Sequence, residues 1–194
     1  LEEDMKEILL ASRSRRRKEV MDFSGLKSRI VVALVDDKVE NVSPLEEAQI
    51  LAKRKCDYVH KQYPNNIVIG VVTVVNLEGK SLPKPKDEEH AKEILKKLSG
   101  KTHEVITACY LKYKDQEEYL DATTKVTFAE MSDDEIEYYV NTGEVFDKPG
   151  AYSAKGFGCL LYTSDAADDL LCVDLGGRRI IKKKIVRNSQ YTDW

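Results

Sequence analysis

The sequence predicts an α/β protein built on a mixed, twisted sheet flanked by helices. Apolar runs typical of strands alternate along the chain with segments whose apolar residues recur at helical spacing, which is the order expected of an α/β fold. The run NIVIGVVTVVN at 66–76 is strongly β-branched, as central strands are. The segment SDDEIEYYVNTG at 132–143 carries both members of a helix capping box, Ser132 and Glu135. These features together define the predicted fold class.

The first predicted unit is a strand, a loop and a helix. ILLAS at 8–12 is a short apolar run that predicts a strand. In the helix that follows, Val20, Met21 and Phe23 are predicted to form the apolar face, and Gly25 is predicted to end it. The loop between the two elements therefore contains the start of a basic cluster.

The remaining predicted elements lie on both sides of the central strand. RIVVALV at 29–35 predicts a buried strand, and PLEEAQILAKRKCDYVHKQY at 44–63 predicts a helix because its apolar residues recur at helical spacing. DEEHAKEILKKLSG at 87–100 predicts an amphipathic helix, with acids in its first turn, lysines in its last turn and a closing glycine. HEVITACYLKY at 103–113 and EEYLDATTKVTFAE at 117–130 predict two paired strands.

Composition limits the class of protein. The chain has 194 residues, of which 42% are hydrophobic and 34% charged, which suits one domain with its own core. No apolar run approaches the roughly 18 residues of a membrane span, and the opening LEEDMKE is acidic where a signal peptide is basic. The four cysteines and three histidines show no spacing typical of a zinc site or a disulfide framework. We therefore expect a cytoplasmic protein without a membrane partner.

A basic cluster stands out against this acidic background. Five of the six residues at 13–18 are Arg or Lys, although the net charge of the whole chain is −3. A loop before a helix offers free backbone N–H groups and the positive end of the helix dipole, so added arginines there suit a phosphate ligand. A solvated helix end and a nucleic-acid patch are the alternatives, and the acidic net charge disfavours the second.

Six stretches identify a family resemblance. They are ASRSRRRKEV (11–20), VDD (35–37), LAKRKC (51–56), VIGVVTVV (68–75), PKPKDEEHAKEILKKLSGKTHEVIT (83–107) and VTFAEMSDDEIEYYVNTGEVFDKPGAY (126–152). In order and spacing they resemble the motifs of the Maf family of nucleoside triphosphate pyrophosphatases, formerly known as septum-formation proteins. The resemblance covers residues 7–158.

The resemblance implies a fold, an activity and a substrate class. It implies a fold similar to that of the inosine triphosphatases, with a central nucleotide cleft. It implies hydrolysis of pyrimidine or modified nucleoside triphosphates to monophosphate and pyrophosphate, with Mg²⁺ as cofactor, in the cleansing of the nucleotide pool. The expected partner is thus a nucleoside triphosphate and not a nucleic acid, and a homodimer is allowed.

The resemblance also assigns phosphate-binding and charge-neutralising residues. Matched to the family motifs, Ser12, Arg16 and Arg17 would bind the phosphates. Lys55 and Lys84 would neutralise the charge that develops on the pyrophosphate leaving group.

Further residues are assigned by the same resemblance. Asp37 would help to hold the metal, in place of the more usual glutamate. Thr73 and Arg16 match two positions associated with substrate choice, and Asp147 and Lys148 belong to the loop that closes the site.

Four positions depart from the family pattern. Val72 stands where the family has the aspartate taken to be its proton acceptor, and a valine can neither accept a proton nor bind Mg²⁺. Val71 replaces an alanine, Arg15 a proline, and Lys155 stands at a third specificity position where glutamine is usual. The alternative function is therefore a nucleotide-binding protein with impaired catalysis.

The C-terminal segment departs from the family entirely. CLLYTSDAADDLLCVDLGGRRIIKKK at 159–184 can be encoded by DNA that resembles a sequencing adapter. We therefore expect a truncated pyrophosphatase domain at 1–158 and a non-native tail at 159–194. A genuine basic tail that binds nucleic acid or membrane is the alternative.

Overall fold

The protein is an α/β fold with seven strands and four α-helices among the described residues. The computed structural model describes residues 7–153 and the backbone of residues 184–186. The elements are β1 (Ile8–Ala11), α1 (Arg15–Phe23), β2 (Ser28–Ile30), α2 (Pro44–Gln62), β3 (Ile67–Leu77), β4 (Lys80–Leu82), α3 (Glu88–Leu98), β5 (Thr102–Tyr113), β6 (Gln116–Thr127), α4 (Asp133–Asn141) and β7 (Lys184–Val186).

The sheet is mixed, as predicted. Its hydrogen-bonded order is β2-β1-β3-β5-β6-β7, with β4 paired to β3. β1 is parallel to both β2 and β3, whereas β4 is antiparallel to β3 and β7 is antiparallel to β6. A two-residue turn at 114–115 joins β5 to β6, which confirms the predicted strand pair. The β-branched run that forms β3 lies between β1 and β5, so its assignment as a central strand is confirmed.

The chain divides into two compact units, and the first comprises the described residues of 7–73 and 107–122. Its core contains Leu9, Ala11, Cys56, Val59 and Val68. α2 approaches β3 very closely at Gly70, where an added Cβ would lie 2.3 Å from the carbonyl oxygen of Ala52. Only glycine fits at this crossing.

The second unit comprises the described residues of 74–106, 123–153 and 184–186. Its core is larger and joins α3, α4 and the strands around them. The buried members are Val75, Leu77, Ala91, Ile94, Leu95, Leu98, Val126, Phe128, Ile136, Tyr139, Val140, Val145, Ala151 and Tyr152. Four of them lie on α3 at helical spacing, as its amphipathic sequence predicts.

Local capping explains why three helices begin where they do. α2 follows a capping box of Ser43 and Glu46, and α4 follows one of Ser132 and Glu135. At α3 the side chain of Asp87 accepts a hydrogen bond from the backbone N–H of His90. The predicted helices at 44–63, 87–100 and 132–143 are thus confirmed.

The predicted buried strand at 29–35 is wrong beyond Ile30. β2 ends there, and no regular element forms before α2, while Val32 and Leu34 are 41% and 68% exposed. β2 lies at the end of the strand order, so β1 is its one partner within the described residues. The hydrogen bonds between β1 and β2 end with the bond from the N–H of Val31 to the carbonyl of Leu10, because β1 ends at Ala11 and the loop before α1 follows.

The predicted apolar face of α1 is also wrong. The helix forms and Gly25 follows it with φ +74°, but none of its residues is buried, and Phe23 is 95% exposed. Its helical length and its closing glycine are local properties of the sequence, whereas burial requires a partner surface that the first unit does not place there.

Two expectations concern residues beyond the described ones. Lys155 and nearly all of the predicted tail at 159–194 lie outside the described residues, and the boundary at 158 stays a prediction. Among the residues that the structure describes, no helix is long and apolar enough to cross a membrane.

Candidate active site

The first unit brings together two predicted phosphate-binding residues, Ser12 and Arg17, and one residue predicted to influence substrate choice, Thr73. Ser12 follows β1 directly, and its Oγ accepts hydrogen bonds from the N–H of Ser14 at 3.1 Å and from Nη1 of Arg17 at 2.8 Å. Nη2 of Arg17 donates to Oγ1 of Thr73 at 3.3 Å. The hydroxyl of Thr73 is 3.0 Å from that of Thr107. Ser12, Arg17, Thr73 and Thr107 thus form one hydrogen-bonded group, here called the Arg17 group.

The topology explains why the Arg17 group forms. β1 and β3 are parallel and pair Ala11 with Gly70, so the residues that follow these two positions emerge at the same edge of the sheet. α1 begins at this edge with Ser14 as its N-cap, without a side-chain capping bond and without an acid in its first turn. Its backbone N–H groups and its dipole therefore favour a negative ligand.

Arg17 is a partly buried cation with neutral partners. Burial lowers the pKa of its guanidinium, and the nearby Cys109 partly offsets this effect. Its hydrogen-bond acceptors in the described part of the chain are the two hydroxyls of Ser12 and Thr73, and no carboxylate pairs with it there. A charge removed from water in this way favours a counter-ion.

Arg16, the neighbour of Arg17, lies in the same turn of α1 and is exposed. It was predicted to bind phosphate and to influence substrate choice. Its position at the start of α1 is compatible with both roles, which stay predictions.

Lys55 and Asp37 form an ion pair. Nζ of Lys55, on α2, lies 2.8 Å from Oδ1 of Asp37, and the two side chains are 21% and 63% exposed. Nη1 of the adjacent Arg54 donates to the carbonyls of Asp36 and Lys38 at 2.7 and 3.2 Å. Two consecutive residues of α2 thus hold the loop that carries Asp37.

Val72 is buried in β3, with 7% of its surface exposed. Because side chains alternate along a strand, Val72 shares a face with Val68 and Gly70, and Thr73 points to the other face. The position assigned to the proton acceptor therefore holds a buried apolar side chain.

The described residues do not form a metal site. No group of three or more His, Cys, Asp or Glu side chains lies close enough together to hold a metal ion in the described ranges. Asp37, the residue predicted to bind the metal, is engaged with Lys55, and Val72 supplies no ligand atom. Of the two positions, only Asp37 thus offers a carboxylate to a metal ion.

The second unit carries the other predicted residues. Lys84 is exposed between β4 and α3, and Asp147 is exposed with a left-handed backbone at φ +59°. Nζ of Lys148 donates to the carbonyl of Phe146 at 3.3 Å. The N–H of Gly150 donates to the carbonyl of Pro83, so the segment with Lys148 is tied to the segment with Lys84. Convergence of these residues with the Arg17 group stays a prediction.

Sequence reasoning missed three residues that the structure brings forward. Thr107 supports Thr73, and His103 contacts the hydroxyl of Tyr152. Thr107, His103 and Tyr152 all lie inside the quoted motifs. Their partners are 34 and 49 residues away in sequence, however, and no local pattern identifies such pairs.

A partly buried guanidinium beside a helix N-terminus without a side-chain cap, in an α/β fold, is an arrangement that favours a negative ligand. A profile of the Maf-like protein family matches residues 7–173. The chain is 41% identical over 157 residues to the dTTP/UTP pyrophosphatase of Bacillus velezensis, covering 80% of this chain and 83% of that protein. It is 42% identical over 163 residues to the dTTP/UTP pyrophosphatase of Pyrococcus furiosus, covering 81% and 83%. The chain belongs to the Maf-like family.

Solved structures are less similar. The Ham1 protein of Staphylococcus aureus superposes with a TM-score of 0.46 at 18% identity, covering 64% of this chain and 72% of that one. At this level the superposition carries no information on function.

Proposed function

We propose that this protein hydrolyses pyrimidine or modified nucleoside triphosphates to a monophosphate and pyrophosphate. The observation that carries the proposal is Arg17, a partly buried cation whose described partners are all neutral. Its relatives named dTTP/UTP pyrophosphatase support thymidine and uridine triphosphates as the first substrates to test. The nucleotide pool that such an enzyme would cleanse is cytoplasmic.

The Arg17 group would bind phosphate oxygens. The guanidinium is held from one side by the hydroxyls of Ser12 and Thr73, which leaves its remaining N–H groups to donate to phosphate. The N–H groups at the start of α1 add neutral donors. This arrangement is already formed in the free protein, so little side-chain entropy is lost on binding.

Lys55 and Lys84 would act on the leaving group. In the reaction a water oxygen bonds to phosphorus, the bond between the α and β phosphates breaks, and pyrophosphate leaves with the bond's electrons. Ammonium groups near the leaving oxygens stabilise that charge. Lys55 faces Asp37 in the free protein, which holds the ammonium in place until phosphate competes for it.

The proton of the attacking water has no acceptor at position 72. Val72 is the observation behind the alternative of a nucleotide-binding protein, but the relatives are pyrophosphatases and do not favour that alternative. We therefore expect Val72 to lower the rate of hydrolysis and not to give the protein a different function. Mg²⁺ stays a prediction from the resemblance, and we expect any metal to arrive with the nucleotide because the residues described at 7–153 offer no ready ligand set.

Substitution of Arg17 tests the proposal. Arg17→Met should weaken binding of UTP and thymidine triphosphate by about 10- to 100-fold in titration calorimetry, since a charge-assisted hydrogen bond contributes about 1.5–3 kcal/mol. Arg29→Met is the matched control, because Arg29 is exposed on β2 and already paired with Glu7 at 3.1 Å. Equal affinities for the two variants would contradict a phosphate site at Arg17.

A further inference from the structure

The segment at 147–153 has an unusual backbone. Asp147, Gly150 and Ala151 have φ values of +59°, +72° and +58°, so two residues with side chains occupy the left-handed region. Such conformations are sparsely populated and persist when the surrounding structure holds them. Two sets of contacts hold this segment.

One set of contacts fixes its middle. The N–H of Gly150 donates to the carbonyl of Pro83 at 3.3 Å, and the N–H of Ala151 donates to the carbonyl of Lys148 at 3.1 Å. An added Cβ at Gly150 would lie 3.0 Å from a methyl of Val75, so the segment lies directly against β3. The position of Lys148 is thus linked to Ala151 by a single turn.

A second set fixes its end. Tyr152 is 6% exposed, and its hydroxyl is 2.7 Å from Nε2 of His103, which is 2% exposed. The rings of His103, Phe128 and Tyr152 meet edge to face, with centroids 4.9 to 5.4 Å apart. The N–H of Ser153 donates to the hydroxyl of Tyr139 at 3.0 Å.

His103 is suited to this contact because it is neutral. Burial lowers its pKa to about 4, so at neutral pH the ring carries no charge into the core. A neutral imidazole offers one donor and one acceptor, and its Nε2 meets a hydroxyl that can serve either role.

We propose that His103 is a positioning residue that holds the segment at 147–153 through the hydroxyl of Tyr152 and so places Asp147 and Lys148 for the nucleotide. The proposal rests on the proposed function, since it gives those two residues a substrate to meet. In this proposal His103 acts through Tyr152 and not on the nucleotide directly.

The test uses His103→Phe and Tyr152→Phe, which keep the ring packing and remove one side of the hydrogen bond. Hydrogen exchange of the Gly150 and Ala151 amides reports the segment without any need for activity. Each variant should speed exchange at both amides about tenfold, and the double variant should add little, because one shared bond is lost. Tyr138→Phe is the matched control, since Tyr138 is 63% exposed on α4.

Kinetics in a Val72→Asp background test whether the segment at 147–153 places Asp147 and Lys148 for the nucleotide. Both variants should raise KM for UTP about tenfold and leave kcat within about twofold, which a loss of global stability alone would not do. His103→Gln, which restores a hydrogen-bonding group, should recover most of the KM. Unchanged exchange at Gly150 and Ala151, or faster exchange with unchanged KM, would overturn the proposal. Absence of pyrophosphate release from the Val72→Asp chain itself would instead contradict the proposed function, and the exchange result would still decide whether His103 holds the segment.

Discussion

Arg17 is a partly buried cation whose described hydrogen-bond partners are neutral. Its guanidinium lies between α1 and β3 and donates to Ser12 and Thr73, neither of which can neutralise it. Arg29 differs from it, because Arg29 is exposed and paired with Glu7. A partly buried cation with neutral partners favours a counter-ion, whereas an exposed cation paired with a carboxylate is a surface ion pair.

His103 gives a prediction about pH at the same scale. Its pKa is about 4 in the folded protein and about 6.5 in an unfolded chain, so the unfolded state binds more protons between these values. The contribution of His103 to the free energy of unfolding should therefore be fully present above about pH 6.5 and fall by about 3 kcal/mol as the pH drops to about 4.

The measurement is urea unfolding as a function of pH for the parent chain and His103→Phe. The phenylalanine cannot be protonated, so the stability difference between the two chains should shrink or reverse as the pH falls through this range. Parallel pH curves for the two chains would show that His103 does not titrate across the unfolding transition.

At the scale of elements, the contact between α2 and β3 depends on Gly70. A Cβ there would lie 2.3 Å from the carbonyl oxygen of Ala52 and 2.9 Å from Cβ of Cys56. Both residues belong to α2, so the whole helix would have to shift to relieve the clash. Gly70→Ala should therefore destabilise the protein by about 3 kcal/mol or more in urea unfolding.

Gly143→Ala is the matched control for that change. Gly143 also has a positive φ of +74°, but no heavy atom lies within 4 Å of the added Cβ, so backbone strain of about 1–2 kcal/mol is the expected cost. A smaller loss for Gly70→Ala than for Gly143→Ala would contradict the close packing of α2 on β3.

Elements set by local chemistry could be predicted from the sequence. The capping box at Ser132 places the start of α4 correctly, because a cap and its partner lie three residues apart, and apolar residues at helical spacing predict α2 from Pro44. The end of β2 and the exposure of Phe23 depend on whether another segment lies alongside. A single sequence does not specify such neighbours.

The candidate site also combines residues that the sequence predicts with contacts that it does not. Ser12, Arg17 and Thr73 were assigned through the family resemblance, and the structure joins them. Their support by Thr107, and the contact between His103 and Tyr152, connect strands and segments that are distant in sequence. Hydrogen bonds of this kind follow from strand register, which the apolar pattern of β5 does not fix by itself.

At the scale of the whole molecule, membership of the Maf-like family accounts for the fold and for the activity that we propose. Val72 is the main departure, because it removes the group expected to take a proton from water. The expected consequence is a folded protein that binds nucleoside triphosphates and hydrolyses them slowly.

The most direct test is pyrophosphate release from UTP and thymidine triphosphate by the Val72 chain, Val72→Asp and Val72→Asn. The aspartate and asparagine have nearly the same shape, but only the aspartate can accept a proton. We predict that Val72→Asp releases pyrophosphate about 10²- to 10⁴-fold faster than the other two chains, the usual contribution of a general base. Equal rates for all three folded chains would contradict the account, because hydrolysis would then not depend on a carboxylate at position 72.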